Sequence, residues 1–325
     1  MHAIETESLT KSFGGENAVD GITMRVEDGE IFGFLGPNGA GKSTTMMMLT
    51  TLLRPTSGRA MVAGFDAARD PKSVRRHIGY VQQDITADEY LTGRENLVLQ
   101  SRLCHMEKHE AARRIDEVLS LVELEDRQND PVVSYSGGMR KRLDIAGGLL
   151  NSPRVLFLDE PTVGLDIQTR TRLWGYIKRT HSEAGTSVFL TTHYMEEADR
   201  LCDRVAIIDS GSIRASGSPS ELKEGLGGGS ISVSAGSRSE GFLTELGSLG
   251  EVSGDGLEVR IRVRDGTAAM PKVFEAAARH GVRLESASLE RPTLDDVFIS
   301  HTGRGMRDAG FNRRREHARM RRIRA

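Results

Sequence analysis

Lys42, Ser43, Asp159, Glu160 and His193 are side chains whose types and settings, taken together, could perform phosphate chemistry. Lys42 and Ser43 close the run Gly36-Pro37-Asn38-Gly39-Ala40-Gly41-Lys42-Ser43-Thr44, a complete glycine-rich phosphate-loop pattern. Glycines let a backbone turn tightly and approach an anion, so the amides of the loop and of a following helix can converge on phosphate oxygens. Lys42 would meet the β- and γ-phosphates of a nucleotide, Ser43 would place its hydroxyl on magnesium, and Thr44 could donate to the α-phosphate. Asp159 and Glu160 follow the apolar run Val155-Leu156-Phe157-Leu158, the pattern of a buried parallel strand delivering carboxylates at its C-terminal end. Asp159 can support a magnesium shell, while Glu160 can polarise a water aligned with the γ-phosphate. An isolated Asp-Glu pair would be a solvated strand end; the phosphate loop upstream favours chemistry. His193 ends a further apolar run from Ser187, and its exit on the phosphate side favours a γ-phosphate sensor over a structural histidine.

Several elements must bring these residues together. Gly29 to Leu35 reads as a short buried strand feeding the loop, with Met46 to Leu53 helical and ended by Arg54-Pro55-Thr56-Ser57-Gly58. Ile4 to Leu9 and Ile22 to Val26 read as hairpin strands. Phe13 lies in the turn between them, where it could stack on an adenine or pack the turn; both roles stand. Ile78 to Val81 reads as a strand running into a polar loop that contains Gln83. A helical region then extends to about Leu124, with Ala111, Ile115, Val118, Leu119 and Val122 on one apolar face. Ser136 is placed to cap a helix carrying Leu143, Ala146, Leu149 and Leu150, and Gly137 and Gly138 leave room for another backbone or a phosphate. Val205 to Ile213 reads as strand, turn, strand.

Gly225 to Gly229, four glycines and one leucine, marks a boundary. Beyond it Ile231, Val233 and Ala235 alternate, as do Leu257, Val259, Ile261 and Val263, while Val273, Phe274, Ala277 and Ala278 suit a helix: a compact α+β domain. Thr293 is a possible helix cap with Asp296 three residues on. Residues 304–325 hold nine arginines against Asp308 and Glu316, a solvated terminus or a weak attractor of acidic lipid headgroups or a partner. The whole chain is balanced, with 44 basic and 46 acidic residues for a net charge of -2, so global electrostatics select no polyanion. Cys104 and Cys202 show neither metal-ligand nor disulfide spacing, which suits a reducing compartment. No secretory pattern and no run of about 18 apolar residues is present, so a soluble or peripherally bound protein is expected.

Together these motifs resemble the ATP-binding cassette (ABC) family. Gly36 to Thr44 is similar to Walker A, Tyr135 to Met139 to the family signature, Val155 to Glu160 to Walker B, Gly164-Leu165-Asp166 to the D-loop, Gln83 to the Q-loop and His193 to the switch histidine. The match covers residues 4 to 223. For 230 to 303 it points to the daunorubicin/doxorubicin-resistance type of export ATPase, resting on domain position and Pro292-Thr293-Leu294-Asp295-Asp296-Val297-Phe298.

The resemblance implies an α/β P-loop NTPase fold: an ABC nucleotide-binding domain with antiparallel β and helical subdomains over 4–224, a small C-terminal α+β domain over 230–303, and a basic tail over 304–325. It implies ATP and Mg2+ as cofactors, with Glu160, His193, Gln83 and Lys42 catalytic and Ser43, Gln83 and Asp159 on the metal. The nucleotide would be bound by Phe13, Gly36, Pro37, Asn38, Gly39, Ala40, Gly41, Lys42, Ser43, Thr44, Gln83, Asp159, Asp166 and His193, with Ser136, Gly137 and Gly138 serving the opposing subunit's ATP. A head-to-tail homodimer, separate polytopic membrane permease subunits, a peripheral location on the cytoplasmic face of the membrane and no specific nucleic acid follow from the same resemblance. So does export of an amphiphilic drug, antibiotic or lipid, with the loop between Gln83 and Ser134 receiving the permease. Met139 stands where glutamine is commonest, Gln82 where proline is, and Phe13 for tyrosine; none removes a phosphate ligand. A soluble ABC-type ATPase of translation or DNA repair is the rival, but the chain lacks tandem cassettes and a sustained heptad tract. A small-molecule kinase or GTPase would leave Ser136-Gly137-Gly138 and His193 unexplained.

Overall fold

The computed structural model describes residues 2–226, 228–237, 239–254, 257–263, 265–290 and 292–302. The basic segment 304–325 lies outside them. Two compact bodies meet in sequence at Ser218 and Pro219.

The first body is built on two sheets. Strands β1 (His2–Phe13) and β2 (Glu16–Glu27) form a long hairpin, and β4 (Ser57–Val62) and β5 (Phe65–Asp66) extend it in the order β2-β1-β4-β5. Gly14 and Gly15 make the tight turn with φ of 56° and 88°, a left-handed pair that a twisted hairpin requires. Phe13 pairs with Glu16 across that turn.

The second sheet is mostly parallel. Its order is β10 (Ser212–Gly217), β9 (Arg204–Asp209), β3 (Ile31–Leu35), β8 (Ser187–Thr192), β7 (Val155–Asp159), β6 (Ile78–Val81), with only β10 antiparallel to its neighbour. Every residue of β3, β7 and β8 is buried, which is why each strand carries an apolar centre. Phe189 sits at the centre, with its ring centroid 5.8 Å from Phe32 and 5.6 Å from both Phe34 and Phe157. The register pairs Leu35 with Thr192 and Asp159 with Thr191, so β3, β7 and β8 end at one level and release their loops on one edge.

Helices complete the body. α1 (Lys42–Leu49) follows β3, and α2 (Pro71–His77) leads into β6. α3 (Gly93–Leu103) opens with a reciprocal capping box between Thr92 and Glu95. α4 (Lys108–Leu121) buries Ala111, Ile115, Val118 and Leu119, the face expected from the pattern. α5 (Gly137–Leu149), α6 (Ile167–Ala184) and α7 (Met195–Leu201) lead into β7, β8 and β9 respectively. α1 stops sooner than Arg54-Pro55 suggests. Thr51, at φ 66°, turns the chain, and the amides of Leu52 and Thr51 bond back to the carbonyls of Met47 (2.9 Å) and Met48 (3.2 Å). That is a Schellman ending built on a β-branched residue, which the sequence does not advertise.

The second body contains α8 (Pro219–Gly225), β11 (Ser230–Ala235), α9 (Glu240–Gly247), β12 (Glu251–Gly254), β13 (Glu258–Arg262), α10 (Gly266–Arg279), β14 (Leu284–Glu290) and α11 (Leu294–Thr302). Its antiparallel sheet runs β12-β13-β11-β14, over a core that includes Ile231, Val233, Phe242, Leu246, Val259, Ile261 and Val273. Thr293 and Asp296 form the anticipated reciprocal cap on α11, at 2.8 and 3.2 Å. Leu257, Phe274 and Ala278, expected inward, face solvent; the buried side of α10 is Ala269, Val273, Ala276 and Ala277. Among the described residues no helix is long and apolar enough to cross a membrane.

Candidate active site

The loop between β3 and α1 is shaped by contacts that tolerate no side chain. A Cβ on Gly36 would collide with the Ile208 carbonyl of β9, and one on Gly41 would lie 2.5 Å from the Ala18 carbonyl. Gly39 and Gly41 have φ of 80° and 109°, so glycine is required there twice over. Gly41 caps α1 without any side-chain hydrogen bond, and the first turn holds no acidic residue. The positive end of the helix is therefore offered to an anion. Lys42, in that first turn, is 4% exposed; its Nζ donates to the carbonyls of Gly36 (2.7 Å) and Pro37 (3.3 Å) and pairs with Glu160 Oε1 at 3.1 Å. Burial pulls the ammonium below its ordinary pKa, against the raising influence of Glu160 and Asp159.

Glu160 sits one residue past β7 with φ 45°, a left-handed conformation that costs a non-glycine residue about 1–2 kcal/mol. Its amide holds that turn by donating to the Thr191 carbonyl (3.1 Å) and hydroxyl (3.0 Å). The Thr191 hydroxyl in turn donates to Asp159 Oδ1 at 2.5 Å. A single threonine of β8 thus holds the Asp159 carboxylate and the Glu160 backbone. Glu160 Oε2 lies 3.1 Å from His193 Nδ1, so the carboxylate bridges Lys42 and His193. Burial raises its pKa, but the hydrogen bond with His193 and the charge of Lys42 outweigh that and leave it below the usual range. It is an anion at neutral pH.

A cleft of about 550 Å³ opens over these groups, lined by Phe13, Asn38, Gly39, Gly41, Lys42, Ser43, Thr44, Gln83, Glu160 and His193 together with Ala18 and Val163. Gly36, Pro37 and Ala40 form the loop behind it, and Asp159 lies buried beneath, 6% exposed. Phe13 is 52% exposed, with Lys11 Nζ over its ring at 5.1 Å from the centroid. Ser43 hydroxyl, Gln83 amide and Asp159 carboxylate supply hard oxygen donors, a set that suits magnesium, which keeps few protein ligands and completes its shell with water and phosphate. Among the described residues no cluster of three or more His, Cys, Asp or Glu side chains forms a self-contained metal site.

Ser136, Gly137, Gly138 and Asp166 are elsewhere. Ser136 caps α5, accepting from the Met139 amide at 3.3 Å, and Asp166 caps α6, accepting from the Thr169 amide at 2.9 Å. The two caps adjoin: a Cβ on Gly138 would strike Thr169 Cγ2, and one on Gly137 would meet Leu165 Cδ2 at 3.6 Å. None of the four lines the Lys42 cleft.

Thr191 and Lys141 escaped the sequence reading. Thr191 stands in a short strand and Lys141 in a run of three basic residues, settings that carry no mark of function, yet Lys141 is 4% exposed and donates to the Gln82 and Gln83 carbonyls. Their signal would have been register alone. A stack also joins His193 to α6: its ring lies 4.2 Å from Tyr194, over which the Arg170 guanidinium sits at 4.1 Å. Behind it Trp174 Nε1 donates to the fully buried Glu197 at 2.9 Å, linking α6 to α7.

The sequence profile described as ABC transporter matches residues 19–163, and that described as ATP-binding protein DrrA1-3-like, C-terminal domain, matches 217–302. The daunorubicin resistance ATP-binding protein DrrA2 of Streptomyces coeruleorubidus is 42% identical over 308 residues, spanning 93% of this chain and 95% of its own. The chain belongs to the ABC transporter family, in its daunorubicin-resistance branch. It is the ATP-hydrolysing subunit of an ABC-type exporter. The linearmycin resistance ATP-binding protein LnrL of Bacillus subtilis is 36% identical, over 94% of this chain and all of its own length (100%). Among solved structures, a dimeric ATP-binding cassette in a post-hydrolysis state with ADP and Pi is 27% identical at a TM-score of 0.59, covering 66% of this chain and 98% of that one. Family membership brings ATP and Mg2+ with it.

Proposed function

We propose that MgATP binds over Lys42 and is hydrolysed at Glu160 within a head-to-tail homodimer, each ATP lying between the Lys42 cleft of one subunit and Ser136-Gly137-Gly138 of the other. Incoming phosphates compete for the Lys42 ammonium, which leaves Glu160 and turns to the β- and γ-oxygens. Phe13 stacks on the adenine, and Asn38, Gly39, Gly41, Ser43 and Thr44 cradle the phosphates. Glu160, freed from Lys42, takes a proton from the attacking water as its oxygen bonds to the γ-phosphorus and the bond to the bridging oxygen breaks. His193, anchored on Glu160 through Nδ1, turns its other ring nitrogen to the γ-phosphate. Ser43, Asp159 and Gln83 would hold magnesium, which when bound would supply positive charge beside the phosphates.

The division of the site supports the dimer above all: the phosphate-side groups converge in one cleft, while Ser136, Gly137, Gly138 and Asp166 adjoin one another away from it. The α5 N-terminus, capped by Ser136 and carrying two glycines in its first turn, is suited to a second phosphate. Between residues 83 and 134 the apolar side chains of Ile85, Leu99, Leu103 and Tyr90, the last 91% exposed, offer a surface for a polytopic permease subunit at the cytoplasmic face of the membrane. Relatives named for daunorubicin and linearmycin resistance and for Nod factor export favour an amphiphilic drug, antibiotic or lipid as cargo. The sequence domains, 4–224 and 230–303, would work as engine and accessory body. The arginines of 304–325 would add weak attraction to anionic lipid.

Mixing Lys42→Ala with Ser136→Arg subunits tests the composite site. Each homodimer should be inactive, whereas the purified heterodimer regains one intact site and measurable ATPase activity. A heterodimer as dead as its parents, yet binding ATP and dimerising, would place Lys42 and Ser136 of one chain at the same nucleotide and overturn the composite site.

A further inference from the structure

The loop that carries Gln83 is fastened to a single helix. α5 lies directly on β6 because both lack side chains at the crossing: a Cβ on Gly79 would collide with the Gly148 carbonyl, and one on Gly148 would come within 3.0 Å of Val81 Cγ2. This close approach brings the first turns of α5 beneath residues 82–89. Lys141 Nζ donates to the carbonyls of Gln82 (2.5 Å) and Gln83 (3.1 Å). Nearly one turn on, Asp144 accepts from the Thr86 hydroxyl (3.0 Å) and amide (3.3 Å). Arg140, from the same helix, reaches Glu89 Oε1 at 2.7 Å.

Burying charge at Lys141 and Asp144 is unfavourable in itself. Desolvation pulls the Lys141 ammonium below and the Asp144 carboxyl above its ordinary range. An aliphatic pair would fill the space without that penalty but could not aim donors at two successive carbonyls. The ammonium thereby fixes the backbone of Gln83 where its side chain enters the cleft.

We propose that Lys141 and Asp144 are positioning residues that clamp the 82–86 segment onto α5, so that Gln83 and the Ser136-Gly137-Gly138 end of the same helix move as one unit. Nucleotide sensed in a subunit's own cleft then shifts the helix end it presents to its partner. The coupling rests on Gln83 facing ATP; the clamp does not.

Hydrogen–deuterium exchange of the nucleotide-free, full-length chain reads the clamp directly. Lys141→Met should speed exchange of the 82–87 amides by about tenfold or more, the loss expected of one charge-assisted hydrogen bond, while β6 is unchanged and Lys141→Arg restores protection. Steady-state kcat should fall by a similar factor with ATP affinity kept, and in a Gln83→Ala background Lys141→Met should cost nothing more. Unchanged exchange in Lys141→Met overturns the clamp. Faster exchange with wild-type kcat, or effects of Gln83→Ala and Lys141→Met that multiply, overturn the coupling. Wild-type kcat in Gln83→Ala alone rejects Gln83 as an active-site group and leaves the exchange result to decide the clamp. Thr86→Val, which alters only the loop side, serves if Lys141→Met does not fold: faster exchange of 84–87 supports the Asp144 anchor, and unchanged exchange overturns it.

Discussion

Glu160→Gln separates chemistry from binding. The carboxylate stands 3.1 Å from both Lys42 Nζ and His193 Nδ1, so an amide of the same shape keeps the site filled while losing the capacity to accept a proton. General-base catalysis contributes about 10²- to 10⁴-fold, which sets an expected drop in kcat of about 10³-fold, or about 4 kcal/mol in the barrier. ATP affinity should hold or tighten. Lys42 keeps its bond to the Gly36 carbonyl at 2.7 Å, and phosphate no longer has to draw it from an anion. Single-turnover and steady-state ATPase rates, with equilibrium dialysis for binding and size-exclusion chromatography for the ATP-bound dimer, measure the three quantities apart. A kcat within tenfold of wild type would refute the assignment. So would a parallel collapse of ATP affinity, since that would mean the loop had lost its support rather than the water its base.

The same variant tests the electrostatics of folding: because the Glu160 pKa is lowered from 4.5 in the folded state, its contribution to stability is present above that pH and is lost as pH falls through the depressed value. The stability difference between wild type and Glu160→Gln, followed by denaturant unfolding, should be flat from pH 6 to about 8 and shrink only in acid; growth on acidification would contradict the sign. Phe13→Ala should raise KM for ATP about 5- to 100-fold with kcat unchanged, the range of one lost base–aromatic stack, and an unaltered KM would return Phe13 to the turn. Gly137→Ala, whose Cβ meets only Leu165 at 3.6 Å, should keep Tm within about 2 °C yet depress ATPase activity, whereas Gly36→Ala should also lower Tm because its Cβ strikes a carbonyl. Equal Tm values for the two would undo the distinction.

The phosphate loop was legible because glycine, lysine and hydroxyl occur in fixed order, and β7 and β8 because each carries a short apolar run, Val155 to Leu158 and Val188 to Leu190, ahead of polar residues. Elements with ordinary amphipathic composition were not: α6, α9 and β12 carry no motif, and their side chains announce only a surface. Phe274 misled for the opposite reason, being a large apolar residue that α10 turns to solvent. Register was invisible as well. Only the pairing of Asp159 with Thr191 reveals that one threonine holds the Asp159 carboxylate and the Glu160 backbone, and only the contact of Gly79 with Gly148 brings Lys141 beneath Gln83. The ending of α1 at Thr51 depends on a left-handed threonine that propensity disfavours.

Trp174 is the sole tryptophan in the sequence, and it is 6% exposed with its indole N–H on a buried carboxylate. The protein consequently contains a native optical probe. Emission from this indole should be blue-shifted in the resting state, and any rearrangement of α6 against α7 would alter its polarity or its quenching by the neighbouring carboxyl. Stopped-flow fluorescence on the unlabelled chain can therefore time the events between nucleotide arrival and turnover, with Glu197→Gln to identify the source of the signal.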